Sequence, residues 1–327
     1  MDPLSDVLSL LKLHSYGCGG FDVGGAYCLQ FGKPKGIKCY AVVSGQGWLA
    51  VDGVPDPVQL STGDCFLLPR GRSFSLASDL NLPPVDAMTF RAKSKNGEID
   101  LPGGSGNCFI VGGHFALAGN HANILLGVLP PIVHLRKESD KATLRWSIER
   151  MMEELREPQP GSELIVEHIA HMMLVQALRL HLAEGLKGGV GWLFALADKQ
   201  MSAAITAMHE EPGYPWTLQG LAERIGMSRS TFAQKFKETV GKSPMEYLTH
   251  WRMLVAGDKL VNSNDPVSVI SLALGYESEA AFSTAFKRVM GCSPRQYGLG
   301  KTPILSSRGA PESVRANQGG QLHSVAS

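Results

Sequence analysis

The stretch SRSTFAQKFKETVGKSPMEY at residues 228–247 returns fifty positions later as SEAAFSTAFKRVMGCSPRQY at residues 278–297. The residues shared by the two copies include those that pack a helix and those that end it. In the first copy they are Phe232, Phe236, Lys237, Gly241, Ser243, Pro244 and Tyr247. An internal repeat of this kind predicts that one supersecondary unit occurs twice in the chain.

Each copy is preceded by a turn glycine and a serine suited to capping a helix, Gly226 with Ser228 and Gly275 with Ser278. Each copy is therefore predicted to be a helix, a tight turn and a second helix. Any single helix hairpin buries phenylalanines at i and i+4, and most such hairpins bind nothing. Two copies with the same Ser-Pro-x-x-Tyr ending indicate a pair of helix-turn-helix units that bind DNA.

The composition describes a soluble globular chain without a global preference for polyanions. The 327 residues are 44% hydrophobic and 19% charged, with a formal net charge of +1, and the length predicts two or three domains. Any attraction to phosphate must therefore come from where the charges lie. The six cysteines form no CxxC pair, which argues against a zinc site or a disulfide framework and predicts reduced thiols.

The first residues predict a short amphipathic helix and no signal peptide. Leu4, Val7, Leu8 and Leu11 have helical spacing, and no basic region precedes them. The longest apolar stretch, at 124–133, is interrupted by one glycine and two prolines and is too short to span a bilayer. We expect a cytoplasmic protein without a membrane segment.

The N-terminal part has the pattern of a small β-barrel or sandwich, because short apolar runs alternate with Gly, Pro and Asp. The predicted strands are 26–31, 38–43, 47–51, 65–68, 73–76 and 108–111. Residues 79–107 are predicted to form a long loop. Two helices follow, one from 141 and one at 162–184, whose apolar stripe includes Leu164, Ile165 and His168.

The C-terminal part is predicted to be entirely helical. The predicted helices lie near 192–209, 217–225, 229–240, 244–262, 266–274, 279–290 and 294–298. The fold class is thus α+β with two domains, a β-barrel with flanking helices followed by an all-α double helix-turn-helix domain. The predicted divisions are a sensor at 1–138, a helical dimerisation segment and hinge at 139–190, a DNA-binding domain at 191–300 and a disordered tail at 301–327.

The predicted helix 229–240 buries Phe232 and Phe236, so its opposite face is free to contact DNA. That face carries hydroxyl, amide and cationic groups suited to base edges and phosphates: Arg229, Ser230, Ala233, Gln234 and Lys237. Gln234 is the candidate for direct base readout. The matching face of the second copy carries Glu279, Ala280, Ser283, Thr284, Lys287 and Arg288. The two faces differ in chemistry, which predicts two different DNA subsites separated by the helix 244–262, about 28 Å long.

The C-terminal segment resembles the DNA-binding domain of the AraC/XylS family of bacterial transcription regulators. The resemblance is carried by LAERIGMS (221–228), FKETVGKSP (236–244) and LGYESEAAF (274–282). It implies base contacts by Ser230, Gln234, Glu279, Ser283 and Thr284.

The N-terminal part resembles the cupin-type sensor of one branch of that family, through DPLSDVL (2–8), LLPRG (67–71), GGHF (112–115) and LPPIVHL (129–135). The resemblance implies a cytoplasmic one-component regulator, located on the nucleoid when it is bound to double-stranded DNA. It also implies a homodimer formed through the sensor's helices, an unidentified small-molecule or stress signal sensed in the cupin domain, and altered recruitment of RNA polymerase.

A cupin barrel also suits a metal enzyme, but the expected ligands are absent from the sequence. Lys38, Cys39 and Tyr40 stand where a metal-binding cupin has a histidine, and Phe74 stands where another would follow. The pair His168 and His171 lacks the HExxH order and is predicted to pack or to lie in a dimer interface. We expect no catalytic residues, no cofactor and no metal; the rival hypothesis is a cupin enzyme, which metal analysis would detect.

Two sets of residues in the barrel have both a functional and a structural interpretation. Tyr40, Trp48, Phe66 and Phe74 are candidates to line an effector pocket, although alternate residues of any small barrel fill its core. Cys18 and Cys108 are candidate redox sensors because their surroundings predict exposed loops or strand edges. Without a flanking cation to lower their pKa, they are alternatively small inert cysteines.

Overall fold

The computed structural model describes residues 2–11, 14–34, 36–87, 89, 99–100, 108–116, 129–184 and 190–300. The predicted tail at 301–327 lies outside these residues. So do most of the predicted loop at 79–107 and residues 185–189 of the predicted dimerisation segment and hinge at 139–190.

The N-terminal region is a short helix followed by strands that curl into a barrel. The helix α1 spans Pro3–Leu11. The strands are β1 (His14–Val23), β2 (Cys28–Phe31), β3 (Ile37–Val51), β4 (Val58–Ser61), β5 (Cys65–Leu68), β6 (Phe74–Ala77), β7 (Val85–Asp86), β8 (Ile99–Asp100), β9 (Cys108–Ala116) and β10 (Val133–Leu135).

The long strand β3 closes the barrel because it belongs to both of its sheets. Its first half pairs antiparallel with β5 and β9, and its second half pairs with β4 and β6. The register on β9 shifts between Val42 and Ser44, and such a bulge bends a strand and increases its twist. The remaining neighbours follow the order β2 beside β6 and β1 beside β9. The cupin-like fold predicted for this region is confirmed.

The structure corrects several details of the predicted strands. The two strands predicted at 38–43 and 47–51 are one continuous strand, because the chain passes the turn-like Ser44 and Gly45 without leaving the sheet. The strands β1, β4 and β10 were not predicted. In β1 the three glycines at 17, 19 and 20 resemble a loop. Two-residue strands, β7 and β8, occur within the predicted loop at 79–107.

The two faces of the barrel wall bury different side chains. An apolar cluster that includes Leu49, Val51 and Phe66 faces the interior. The outer face of the β1, β9, β3 and β5 sheet is covered by two helices, α2 (Glu138–Arg156) and α3 (Ser162–Glu184). The predicted apolar stripe of α3 is only partly buried, because Leu164 is 60% exposed and His168 is exposed.

The C-terminal region is all-helical, as predicted. Its helices are α4 (Trp192–Ala195), α5 (Lys199–Glu210), α6 (Leu218–Arg224), α7 (Arg229–Val240), α8 (Pro244–Asn262), α9 (Val267–Ala273), α10 (Glu279–Met290) and α11 (Pro294–Gly298). The single helix predicted at 192–209 is wrong, because Asp198 starts a new helix by accepting hydrogen bonds from the backbone N–H groups of Gln200 and Met201.

The two helix-turn-helix units belong to different cores. Phe232 and Phe236 of the first unit lie in a continuous apolar core that also contains Leu4 and Val7 of α1 and the outer face of the barrel. Phe282 of the second unit lies in a separate core formed with α8, α9 and α11. The first unit is therefore joined to the sensor by packed side chains.

Candidate nucleic-acid interface and sensor barrel

The first candidate recognition helix is α7, and its ends are fixed by residues that the sequence repeats. Ser228 accepts a hydrogen bond from the N–H of Thr231, and Gly241 ends the helix with a left-handed φ of 81°. Phe232 and Phe236 are fully buried beneath the helix. Of the predicted contact residues Arg229, Ser230, Gln234 and Lys237 are exposed, whereas Ala233 is half-buried.

The second candidate recognition helix, α10, repeats this construction. Ser278 caps it through the N–H of Ala281, and Gly291 ends it with a φ of 78°. Phe282 and Phe286 are fully buried. The predicted contact residues Glu279, Ala280, Thr284, Lys287 and Arg288 are exposed, whereas Ser283 is half-buried.

One basic residue of each recognition helix lies near a titratable group of α8. Hydrogen bonds from Ser243 lower the pKa of Glu246, and the nearby Lys237 ammonium adds to this effect. Burial lowers the pKa of His250, and the nearby Arg288 adds to it. Glu246 and His250 are adjacent along α8, since His250 Nδ1 donates to the Glu246 carbonyl at 2.8 Å. Lys237 of the first unit thus influences Glu246, and Arg288 of the second influences His250.

Two of the predicted readout side chains already hold an intrahelical partner. Gln234 Nε2 donates to Glu238 Oε1 at 2.9 Å, and Thr284 Oγ1 donates to the Ala280 carbonyl at 3.0 Å. Both contacts are exposed, so each exchanges readily with water or another partner. The bond to Glu238 uses one of the two amide N–H donors of Gln234 and restricts how the amide can approach a base.

Lys235 lies between the predicted contact residues Gln234 and Lys237, but its ammonium forms an ion pair within the protein. Its ammonium lies 2.7 Å from Asp198 Oδ2 and 3.4 Å from Gln200 Oε1. Gln200 in turn donates to the Ile225 carbonyl at 3.2 Å. This network connects α7 to the start of α5. On α7, Lys237 is therefore exposed to solvent, whereas Lys235 is engaged in contacts within the protein.

Three of the four predicted pocket residues lie in the barrel interior. Tyr40, Phe66 and Phe74 are each at most 3% exposed and belong to the interior cluster. The assignment of Trp48 is wrong. Its neighbours on β3, Gly47 and Leu49, face the interior, so the alternation of a strand places Trp48 on the outside, where it is half-buried.

Part of this interior is lined by polar side chains that were not among the predicted pocket residues. Lys38 is only 6% exposed, and its ammonium lies 4.8 Å from the ring centre of Phe74 and 5.1 Å from that of Phe31. On the next strand His114 lies opposite Lys38, and its Nε2 is hydrogen-bonded to the hydroxyl of Tyr40. The interior therefore combines aromatic walls with a cation, an imidazole and a phenol. The alternating strand pattern could have identified Lys38, but not its ring neighbours.

Comparisons with known proteins agree with this architecture. A cupin family model matches residues 2–183, and a helix-turn-helix domain model matches residues 221–299. The chain is 42% identical to an AraC-like transcription regulator of Streptomyces lividans over 91% of this chain and 98% of that protein. The chain belongs to the AraC-type family of transcription regulators. Double-stranded DNA is therefore its binding partner.

Two further proteins are similar to this AraC-type regulator over different shares of its length. The transcriptional regulator AlkR of Acinetobacter baylyi is 31% identical over 72% of this chain and 79% of that protein. Among solved structures, the DNA-binding domain of AdpA in complex with a target DNA is 29% identical, covering 30% of this chain and 87% of that chain with a TM-score of 0.29.

The cysteines of this AraC-type regulator do not have the environment expected of oxidant sensors. Cys108 is 1% exposed inside the barrel, so its predicted exposure is wrong, and burial raises its pKa. Cys18 is half-buried on the outer face of the barrel wall. Burial disfavours the reactive thiolate of Cys108, which argues against this residue as an oxidant sensor.

His168 and His171 of α3 each form a hydrogen bond with a different backbone carbonyl. His168 Nδ1 donates to the Leu164 carbonyl at 2.7 Å, and His171 Nδ1 donates to the Glu167 carbonyl at 2.9 Å. Among the residues that the structure describes, no group of three His, Cys, Asp or Glu side chains is arranged to hold a metal ion. In the same residues no helix has the length and apolarity needed to cross a bilayer.

Proposed function

We propose that this AraC-type regulator reads its operator with the outward faces of α7 and α10, one subsite for each helix. The observation that supports this is the repeated construction of the two helices, each capped by a serine, ended by a glycine and packed on two buried phenylalanines. On the first helix Gln234 reads a base edge, and Arg229 and Lys237 bind phosphates. On the second Glu279 and Thr284 read bases, and the two basic residues that follow bind phosphates.

The test separates sequence readout from charge attraction. The full-length protein is used to select its preferred site from genomic fragments at fixed salt, and affinities are then measured on that site and on random DNA. Gln234→Ala is expected to weaken binding to the selected site by about 1–3 kcal/mol and to leave random DNA almost unaffected. Lys237→Ala is expected to weaken both DNAs equally and to reduce the salt dependence by about one phosphate contact.

A matched lysine serves as the control. Lys235→Ala removes an equal charge from the same helix, but that charge is engaged with Asp198, so the salt dependence of binding should stay unchanged. Equal losses on specific and random DNA for both Gln234→Ala and Lys237→Ala would contradict the assignment.

We propose that the barrel interior binds the small-molecule effector, beside Tyr40, Phe66 and Phe74. The polar groups of Lys38 and His114 supply the fixed hydrogen-bonding partners that an otherwise apolar site needs for specificity. A ligand at 100 times its Kd stabilises the folded state by about 2.7 kcal/mol, which a thermal-shift screen detects. A compound that stabilises the wild type and a Lys38→Met, His114→Ala double variant equally would place the effector elsewhere.

We propose that the regulator acts as a homodimer through α2 and α3. These helices expose Trp146 (60%), Leu164 (60%) and Ile165 (39%), which are large apolar side chains on two adjoining elements. Sedimentation equilibrium should give twice the chain mass for the wild type and a lower mass for Trp146→Glu. A monomeric wild type would remove this part of the proposal.

We further propose that the division into domains follows the four segments 1–138, 139–190, 191–300 and 301–327. The protein acts in the cytoplasm, without catalysis, by changing the recruitment of RNA polymerase at promoters. Effector binding would shift the population between orientations of the DNA-binding domains, which requires different contacts in the two states. Transcription from a promoter carrying the selected site, measured with purified polymerase with and without the regulator, tests the last step.

A further inference from the structure

The loop that leads into the first helix-turn-helix unit touches the second unit directly, in addition to the link through α8. The loop at 211–217, which leads into the first unit, lies against the turn that precedes α10 in the second. A Cβ built on Gly213 would lie 2.3 Å from the Ala273 carbonyl oxygen, and one built on Gly275 would lie 2.5 Å from the Gly213 carbonyl oxygen. The backbones approach so closely that only glycines fit at this junction.

One side chain of α8 binds both sides of this junction. Arg252 Nε donates to the Pro212 carbonyl at 2.6 Å, and its Nη2 donates to the Tyr214 carbonyl at 2.9 Å. These two carbonyls bracket Gly213. The same guanidinium lies 5.8 Å from the ring centre of Tyr276, in the turn of the second unit. Arg252, which belongs to the linking helix, therefore contacts both the loop that leads into the first unit and the turn of the second unit.

The chemistry of arginine suits this position. The planar guanidinium presents several N–H donors in a fixed arrangement, so two carbonyls and a ring face can be engaged at once. Burial lowers the pKa of Arg252, but an arginine stays protonated in proteins. A lysine would offer one ammonium for the same three partners.

We propose that Arg252 is a positioning residue that sets the separation and relative rotation of α7 and α10, and thereby the spacing of the two DNA subsites that the regulator accepts. The inference rests on the proposed reading of DNA by both helices. If α8 alone joined the units, bending at its ends would let the second helix find its subsite at several spacings. With the junction fixed by Arg252, one spacing is preferred and neighbouring spacings are penalised.

The experiment uses full-length protein and a series of duplexes built on the site that the wild type selects. One or two base pairs are inserted or deleted between the two subsites, and each base pair shifts the second subsite by about 3.4 Å and rotates it by roughly a tenth of a turn. The wild type should lose affinity by about tenfold for one added or removed base pair, within the range of roughly 5- to 150-fold that is typical of coupling between two sites.

Arg252→Gln should bind the original spacing several-fold more weakly and should show a penalty of less than about twofold for a changed spacing. Arg252→Lys should lie between the two. Gly213→Ala is a second, independent variant, because its new methyl group forces the same junction apart, and it should relax or shift the preferred spacing. The control Gly220→Ala adds a methyl group that meets only the Thr217 side chain, at 3.3 Å, and should keep the wild-type penalty.

A full spacing penalty in both Arg252→Gln and Gly213→Ala overturns the inference. So does an affinity loss that is equal at every spacing, since that result describes a side chain needed only for stability. Ile270→Val is a mild change in the core of the second unit. It serves as a control, because it measures how destabilisation alone alters the loss of affinity at a changed spacing. Failure of the wild type to select any sequence is a different result, because it removes the proposed function itself.

Discussion

His209 lies at the contact between the sensor's first helix and the DNA-binding domain, and its burial predicts a specific loss of stability in acid. Its Nε2 is 2.8 Å from the Tyr247 hydroxyl, and its ring stacks on Trp251 with a centroid distance of 3.6 Å. The Asp6 carboxylate of α1 lies 3.4 Å from Nδ1, which favours the protonated ring. Complete burial has the larger effect and lowers the pKa of His209 to about 3.

The magnitude follows from the difference between the two states. The unfolded chain binds a proton at His209 below its ordinary pKa of 6.5, whereas the folded protein keeps the ring neutral down to about pH 3. Folding stability is therefore lost as the pH falls from about 6.5 towards 3, because the unfolded state gains the proton first. Between about pH 7.5 and pH 5 the expected loss from His209 is about 2 kcal/mol, at about 1.4 kcal/mol per pH unit.

The assay compares urea unfolding of wild type and His209→Gln at about pH 7.5 and about pH 5, followed by tryptophan fluorescence, to which Trp251 contributes directly. Glutamine keeps a hydrogen bond to Tyr247 and cannot titrate. The wild type should lose about 2 kcal/mol more than the variant on acidification, since the other histidines titrate in both proteins. Equal losses in the two proteins would refute the argument that His209 is buried in its neutral form.

Three further outcomes follow from the structure. Phe286→Ala should destabilise the second unit by about 3–5 kcal/mol, and footprinting should then show protection of the first subsite alone, because the two units have separate cores. Asp198→Ala should lower thermal stability by about 1–2 kcal/mol, from a lost helix cap and a lost ion pair with Lys235. Glu238→Ala should tighten DNA binding, measured by titration, because it releases Gln234 and removes a negative charge beside the phosphates; unchanged or weaker binding would contradict this.

The helices that carry the predicted interface were predictable from the sequence because residues next to each helix end determine where the helix begins and stops. The bounds of α7, α8, α10 and α11 agree with the predicted ranges, and each has a serine cap in the structure. Ser243 and Ser293 form capping boxes with the residue three positions on. Caps of this kind depend on neighbours within four residues, so no knowledge of the tertiary fold is needed to place them.

The barrel was less predictable because its details depend on pairing between distant strands. The glycine-rich β1 forms a strand only because β9 runs beside it over its whole length. The bulge in β3 sets which residues face inward beyond Val42, so the aromatic character of Trp48 gave no indication that it faces outward. The roles of Lys38 and Arg252 likewise depend on partners 36 and 40 residues away, such as Phe74 and Pro212.

The separate cores of the two units imply an unequal response to a signal in the sensor. Leu4 and Val7 of α1 share a continuous core with Phe232 of the first unit, and packed interiors transmit displacement because they hold few voids. The second unit has its own core and meets the rest of the domain through α8 and the junction of Gly213 with Gly275. A change in the barrel that moves α1 would therefore reach the first unit through α5 and α8, which pack on α1 and share its core. It would reach α10 through α8, whose side chains belong to both cores, and through the junction, so the residues that close the junction help to decide whether both subsites respond together.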